Sequence, residues 1–551
     1  MRTKNILGSK VKYLITLLLI ATSAQAGLTQ LANIPLSGAS SVEISPNIMF
    51  VLDDSGSMSW DYLPDWAGLT TQLSQSKNPS FNGVAYNPAV TYTPPKYFNT
   101  DGTPNTTTYL GQNATNSTNW TAVRDDGFGI QATPATKTSN LVGNAFYYTS
   151  VAGEYCTNAS MKTCIAASAP SAAYPIAAKL RWCKTAAEAV AATPSAGACQ
   201  ATQIDPVPAP PATATNIPFN YPRMPAPRTS TITISGSGST SVSSITVDSK
   251  IILSSSIAAT TDPVALAASI ETSINACTFG KTGACQIEGY SAIASGNTVT
   301  ISAPGVTTLT PAISKSGSMT MTSSAFARPA TNLAPGENLL TVITSTTTTY
   351  PKGSNRSDCL LAATTCSYAE EMTNYANWWA YYRTRMQTMK TATSLSFETI
   401  GTKFRVGYMS INNNTSLDFQ NIASFDASQK KAWYDKIFSA RPNNNTPLRV
   451  ALSNAGRLYA GRLNNLTFNG VTVVDPVQYF CQKNVTILST DGYWNEGAGF
   501  MWNGSTAVGD QDGPGLESRP QLDGGGPQDQ KSTSQITKTL TPTTATTAQI
   551  K

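Results

Sequence analysis

The feature that most constrains this chain is a short apolar run placed far from anything it could pack with in sequence. Ser45-Pro46-Asn47 introduces Ile48-Met-Phe-Val-Leu52, a continuous apolar stretch of strand length. Such a run predicts a strand buried on both faces of a parallel sheet. It ends in Asp53-Asp54-Ser55-Gly56-Ser57-Met58, and the next strongly helical segment starts only near Ser367. A structureless loop of roughly 300 residues inside a compact domain is not viable, so the interval must hold inserted folded material. A length of 551 residues leaves room for about three domains.

The alternation expected of an α/β domain resumes after the interval. A helix is predicted over 367–389, with Met372, Tyr375, Trp379, Tyr382 and Met386 at three- and four-residue steps, a stripe read as core rather than as a binding surface. A strand over 404–411 follows. Asp426 is placed to cap a helix over 427–438, and Thr446-Pro447 opens another over 448–459 with Leu448, Leu452, Ala455 and Leu458 on one face. Asn484-Val-Thr-Ile-Leu-Ser489 reads as a strand ending in Thr490-Asp491-Gly492. Strands alternating with helices imply a doubly wound α/β fold.

Two kinds of sequence fill the interval. Residues 60–205 are rich in Thr, Asn, Ala and Pro, and the proline runs 206–211 and 222–227 look like a stiff connector. From Thr229 the pattern changes to strands at 232–234, 244–247, 251–253, 286–287 and 298–301. A helix over 263–274 carries Leu266, Ile270 and Ile274 on one face, with Asp262 as cap and Pro263 in the first turn. The stretch 229–305 is therefore read as a small α+β insert for display or spacing.

The first 26 residues give the compartment. Arg2, Lys4, Lys10 and Lys12 precede an apolar run over 13–21, and Ala24-Gln25-Ala26 supplies a small-x-small cleavage pattern. The run is well short of the ~20 residues that a spanning helix needs, so it reads as a cleaved secretory signal with no membrane span after cleavage. Removing its four basic residues takes the formal charge from +6 to +2, too little to suggest nucleic acid as a partner. Eight of nine cysteines fall into close couples: Cys156 with Cys164, Cys183 with Cys199, Cys277 with Cys285, Cys359 with Cys366. In an oxidising compartment these read as disulfides closing short loops, sequential pairing being the simplest of several connectivities. Cys481 is left over, and is read as a buried thiol ahead of a strand or as the partner of a cysteine outside its couple.

With no histidine at all, Ser-His-Asp and Cys-His chemistry and His-bearing zinc sites are excluded. The residues that do carry chemistry sit at the ends of the predicted α/β elements: Asp53-x-Ser55-x-Ser57 after the first strand, Thr446 at a helix start, and Asp491 after the strand over 484–489. Ligands of open α/β sheets collect outside the carboxyl ends of the strands. Every donor offered is a hard oxygen, which suits Mg2+ (or Mn2+). Ser55, Ser57 and Thr446 can bind the ion directly while Asp53 and Asp491 hold coordinated waters. That leaves a position for an acidic side chain from a partner. Taken singly, each piece is an ordinary turn or cap; together, and in this order, they read as a site. No paired carboxylates are placed for hydrolysis, so an enzyme is not expected.

This constellation resembles the metal-ion-dependent adhesion site of von Willebrand factor type A domains. Longer motifs narrow the likeness: Tyr86-Asn-Pro-Ala-Val-Thr-Tyr-Thr-Pro-Pro95, Ser367-Tyr-Ala-Glu-Glu-Met372, Asn377-Trp-Trp-Ala-Tyr-Tyr-Arg-Thr-Arg385, Arg405-Val-Gly-Tyr408, Thr446-Pro-Leu-Arg449 and Thr490-Asp-Gly-Tyr-Trp-Asn495. These are similar to the PilY family of type IV pilus biogenesis and tip-adhesin proteins. The resemblance implies a secreted protein at the pilus tip that works with minor pilins and contacts a host or surface ligand through an acidic group. A structural tip component without metal-dependent adhesion is the alternative. The expected organisation is a discontinuous A-type domain (27–58 and 366–503) interrupted by a disulfide-containing insertion with its connector (59–228), the α+β insert (229–305), which lies outside these motifs, and a return segment (306–365). Family members carry a C-terminal β-propeller with a calcium-binding loop. No propeller repeats occur before Lys551, and Asp510-Gln-Asp-Gly513 has only part of a calcium-loop pattern. The expectation is thus a truncated or naturally short relative with a flexible tail over 504–551.

Overall fold

A computed structural model describes residues 44–68, 72–105, 120–204, 218–328, 335–412, 418–468, 470–492, 495 and 497–507. The signal sequence, the proline run 206–211, Asp510-Gln-Asp-Gly513 and the tail after 507 lie outside the described residues. The chain is a mixed α/β protein.

Its central sheet has four strands: β1 (Asn47–Leu52), β2 (Arg405–Ser410), β3 (Phe419–Ser424) and β4 (Asn484–Ser489), in the order β3-β2-β1-β4. β1 pairs in parallel with both β2 and β4, placing Phe50 opposite Tyr408 and Ile487; β3 runs antiparallel at one edge. All six residues of β1 are buried. The reason is that both faces of the sheet are covered. Ile48, Phe50 and Leu52 share a core with Met372, Tyr375 and Trp378 of α1 (Tyr368–Tyr381), Met386 of α2 (Arg385–Ser396), and Trp433 and Ile437 of α3 (Ala427–Ser439). Met49 and Val51 join Leu448, Ala451 and Leu458 of α4 (Leu448–Tyr459) on the other face. This two-sided burial is what a continuous apolar run in a parallel strand requires.

Local signals placed most of these elements. Ser367 and Glu370 form a capping box at α1, and the Asp426 carboxylate accepts from the Gln429 backbone N–H (2.9 Å) at α3. The single helix expected over 367–389 is instead two. The chain breaks at Tyr382, and Thr384 with Gln387 forms a second capping box that starts α2. On α4, Ala451 rather than Leu452 lies inward; Leu452 is 45% exposed.

The interval is not one detached body. Tyr86, Phe98, Trp120, Phe128 and Tyr147 belong to the same core as Phe50 and Trp433. Phe146–Ala152 pairs with Gly336–Val342, closing this part of the interval on itself. Residues 229–327 carry a core of their own, in which Thr229–Ser235 pairs with Thr298–Ser302 and Thr320–Ser323. The helix Pro263–Asn275 is capped by Asp262 and buries Leu266, Ile270 and Ile274 against it. The strands Ala312–Gly317 and Thr320–Ser323 extend this unit past residue 305. Residues 286–287 form no strand, although Gln286 meets Ile251 through its side-chain oxygen, which accepts from the Ile251 N–H (3.0 Å), and through its own N–H, which donates to the Ile251 carbonyl (2.8 Å); the strand here is Ser291–Ser295, paired with Thr298–Ser302.

All four sequential cysteine pairs are bonded. Beside two of them, Glu154 is buried between Arg181 (3.2 Å) and Arg223 (2.6 Å). Cys481 is free and exposed, not buried as the sequence suggested. It lies in the turn that leads into the edge strand β4, next to fully exposed Phe480. Among the described residues, no helix is long and apolar enough to cross a membrane.

Candidate functional site

The carboxyl ends of β1 and β4 lie side by side, because β1 and β4 are parallel neighbours. The chain leaving β1 turns at once. Asp53, wholly buried, accepts from the Ser55 N–H through Oδ1 (2.9 Å). Its Oδ2 accepts from the Thr490 hydroxyl (2.7 Å), which ties this turn to the end of β4. A short helical turn over Gly56–Ser59 follows, and it brings the Ser55 and Ser57 hydroxyls to 3.1 Å of each other.

The segment before α4 is laced to the same turn. The Gly56 N–H donates to the Asn444 carbonyl (3.1 Å) and the Asn443 N–H to the Asp54 carbonyl (2.8 Å). Asn444 holds a φ of +59°, a backbone state that asparagine tolerates better than most residues. Thr446 is buried, its N–H donating to the Asn495 side-chain oxygen (2.8 Å). It does not serve as the helix cap, because Pro447 takes that position without a side-chain bond. Among the described residues its hydroxyl has no hydrogen-bond partner. The cap that the Thr-Pro pattern suggests is therefore not what this threonine does.

Asp54 points its chemistry elsewhere. Its Oδ1 accepts from the Asn412 N–H (3.2 Å) and side-chain amide (2.8 Å), and burial pushes its carboxyl up to about 6.

Asp491 is also nearly buried, and its Oδ2 is engaged by the Arg385 guanidinium at 2.6 Å. Arg385 is held on several sides: Nη2 to Asp65 (2.6 Å), Nε to the Tyr62 carbonyl (2.6 Å), and its plane near the rings of Trp60 and Tyr62 (4.9 and 5.3 Å). The Arg385 N–H donates to the Trp60 carbonyl (3.0 Å). Thus the start of α2 is locked onto the segment that follows Ser57.

Asp53, Ser55, Ser57, Thr446 and Asp491 therefore lie on three loops linked to one another by direct hydrogen bonds. Arg385, Thr490, Asn444 and Asn495 complete the assembly. Sequence reasoning gave none of these four a role in the site. Thr490 and Asn495 stand within four residues of Asp491, but nothing local marks Arg385 as a neighbour of a carboxylate 106 positions away. The donor set holds two carboxylates and three hydroxyls. Among the described residues there is no group of three or more His, Cys, Asp or Glu side chains placed to hold a metal. Any cation bound here would rest mainly on hydroxyl and water oxygens.

Comparison with known proteins adds a relation over part of the chain. No protein-family model matches it. No solved structure matches it either. The chain is 30% identical over 130 residues to the type IV pilus biogenesis factor PilY1 of Pseudomonas aeruginosa strain UCBPP-PA14 (22% of this chain, 11% of that protein). It is 29% identical over 173 residues to PilY1 of strain PAO1 (28% and 15%), and 27% identical over 179 residues to that of strain PAK (30% and 15%). The chain thus matches no more than 15% of the length of these curated relatives. Over 22–30% of its own length, this is a protein related to the PilY1 type IV pilus biogenesis factors.

Proposed function

We propose that this protein is a type IV pilus-associated tip adhesin and biogenesis factor that binds its partners through a Mg2+-dependent (or Mn2+-dependent) adhesion site, and that it is exported to the pilus tip. The finer fold reading, a von Willebrand factor A-like domain interrupted by a large insertion, belongs to the same proposal. Its support is the parallel β2-β1-β4 arrangement with helices on both faces.

The observation that carries the metal reading is the spacing of the two serine hydroxyls. Octahedral Mg2+ with bonds of about 2.1 Å has adjacent ligands about 3 Å apart. Ser55 Oγ and Ser57 Oγ stand 3.1 Å apart, on a turn that Asp53 fixes from behind. Thr446, on the adjoining loop, is a buried residue whose hydroxyl adds a third oxygen. In this reading the three hydroxyls bind directly, and Asp53 and Asp491 hold the waters of the coordination shell. A bound Mg2+ supplies an electrophilic position for a carboxylate from a minor pilin or a surface ligand. The chain's own residues fix the turn, exclude bulk water from Asp53, and keep carboxylates off the ion so that a foreign one is attracted. Catalysis is not part of the proposal.

A structural tip component that needs no metal is the competing reading, and the Arg385–Asp491 ion pair favours it, since a carboxylate is already neutralised there. An Asp53→Ala strain separates the two. Adhesion lost with piliation kept supports the adhesion site; undiminished adhesion refutes it.

A further inference from the structure

We propose that Arg385 is a positioning residue that makes cation binding at this site depend on an acidic ligand. The inference rests on the metal-dependent reading above and adds its regulation. Three observations lead to it. The Arg385 guanidinium is almost wholly buried, and no other basic side chain bonds to the site's carboxylates among the described residues. It donates to Asp491 Oδ2 at 2.6 Å while its remaining nitrogens are taken by Asp65 and the Tyr62 carbonyl. Its position near Trp60 and Tyr62 and its own backbone bond to Trp60 fix it to the segment that follows Ser57, so it cannot leave without disturbing that segment.

The consequence follows from charge. The arginine side chain carries a permanent positive charge, so Asp491 is paired with a cation before any metal arrives. Asp65 offsets this charge only in part, because it is half-exposed and screened by water. Asp53 and Asp491 offer two negative charges, and Arg385 leaves the pair one short of neutralising a divalent ion. The occupied site then keeps about one unit of positive charge in a poorly solvated place, and one carboxylate from outside removes it. Bare-ion affinity is low for the same reason that affinity for ion plus carboxylate is high. An arginine-free site would hold the ion tightly and gain little from the ligand.

Mn2+ titration of the full chain, read by the loss of the free-ion electron paramagnetic resonance signal, tests this with and without acetate as the carboxylate probe. Arg385→Gln binds Mn2+ roughly tenfold more tightly than the unmutated chain when acetate is absent, the scale expected for one nearby partly buried charge. Acetate tightens Mn2+ binding in the unmutated chain and does so much less in Arg385→Gln. Arg385→Lys, which keeps the charge without the planar fork, stays near the unmutated chain; Asp65→Asn binds more weakly, because the guanidinium then rests on Asp491 alone. Arg385→Gln binding Mn2+ no more tightly than an unmutated chain that does bind overturns the inference and leaves the metal site standing. Absence of binding in every form, with acetate present, refutes the metal reading itself. Thermal unfolding without metal identifies any variant that has lost its fold, and the Lys and Asn variants then decide the question.

Discussion

Replacing Glu371 by alanine should be among the most damaging single changes in this protein, although the residue is far in sequence from most of what it holds. Glu371 and Arg356 have fully buried side chains and meet at 2.7 Å. The second carboxylate oxygen accepts from the Tyr86 hydroxyl (2.7 Å), and Arg356 also reaches Asp358 (2.8 and 2.9 Å) and the Pro88 carbonyl (3.0 Å). The network therefore clamps α1 to both the early and the late parts of the interval. Burial raises the Glu371 carboxyl above its ordinary range, and Arg356 opposes that shift. Breaking a buried pair by deleting one partner costs about 3–5 kcal/mol, because the survivor is left charged and dry. The Tyr86 hydroxyl loses its acceptor as well, whereas Arg356 keeps Asp358 and the Pro88 carbonyl, so the range applies as it stands. At about 2–4 °C per kcal/mol for a domain of this size, the melting temperature falls by about 6–20 °C. Urea unfolding followed by tryptophan fluorescence measures the loss, with Asp435→Asn as the control. Asp435 is paired with Lys431 at the surface and should cost at most about 1 kcal/mol. A loss under about 1 kcal/mol for Glu371→Ala would refute the clamp.

Two further outcomes follow from the interior and the surface. Lys390 is fully buried and donates to the Phe438 and Ala440 carbonyls (2.9 and 2.7 Å), and burial lowers its ammonium from 10.5 to about 7. Between those values the unfolded chain binds more protons than the folded one. Stability therefore rises with pH from about 7 upward, whereas below 7 the full cost of a buried charge is present. Urea midpoints at several pH values should show this slope in the unmutated chain and lose it in Lys390→Met; equal slopes would contradict the assignment. Cys481, free and exposed, should take up one maleimide per native chain while the eight bonded cysteines take up none, as intact-mass measurement reports.

How much of this was legible in the sequence depends on the range of the interaction responsible. Asp262, Ser367 and Asp426 announce helix starts because a cap bonds within three residues of itself. The run 48–52 announces a doubly buried strand because its neighbours on both faces must be apolar. The break before α2 was equally local, as the Thr384-x-x-Gln387 box, but the apolar stripe continues past it and conceals it. Leu452 followed the stripe in sequence, yet the helix turns Ala451 inward instead. The membership of Tyr86, Phe98 and Tyr147 in the main core, the pairing of 312–323 with 229–247, and the grip of Arg385 on Asp491 all join segments far apart in sequence. Periodicity carries no record of such contacts. Cys481 is exposed, against the sequence expectation, because the strand it precedes, β4, is at the sheet's edge.

The central claim, a cation held at the carboxyl end of the sheet, is tested most directly by calorimetric titration of Mg2+ and Mn2+ into residues 27–551, with acetate present. Asp53→Ala and Asp491→Ala are titrated in parallel. The account predicts saturable binding of about one ion per chain, the stoichiometry of a single octahedral site, and its loss in both variants. Absence of binding by the unmutated protein, or binding that survives both substitutions, would contradict it and leave the three loops as linked turns and caps.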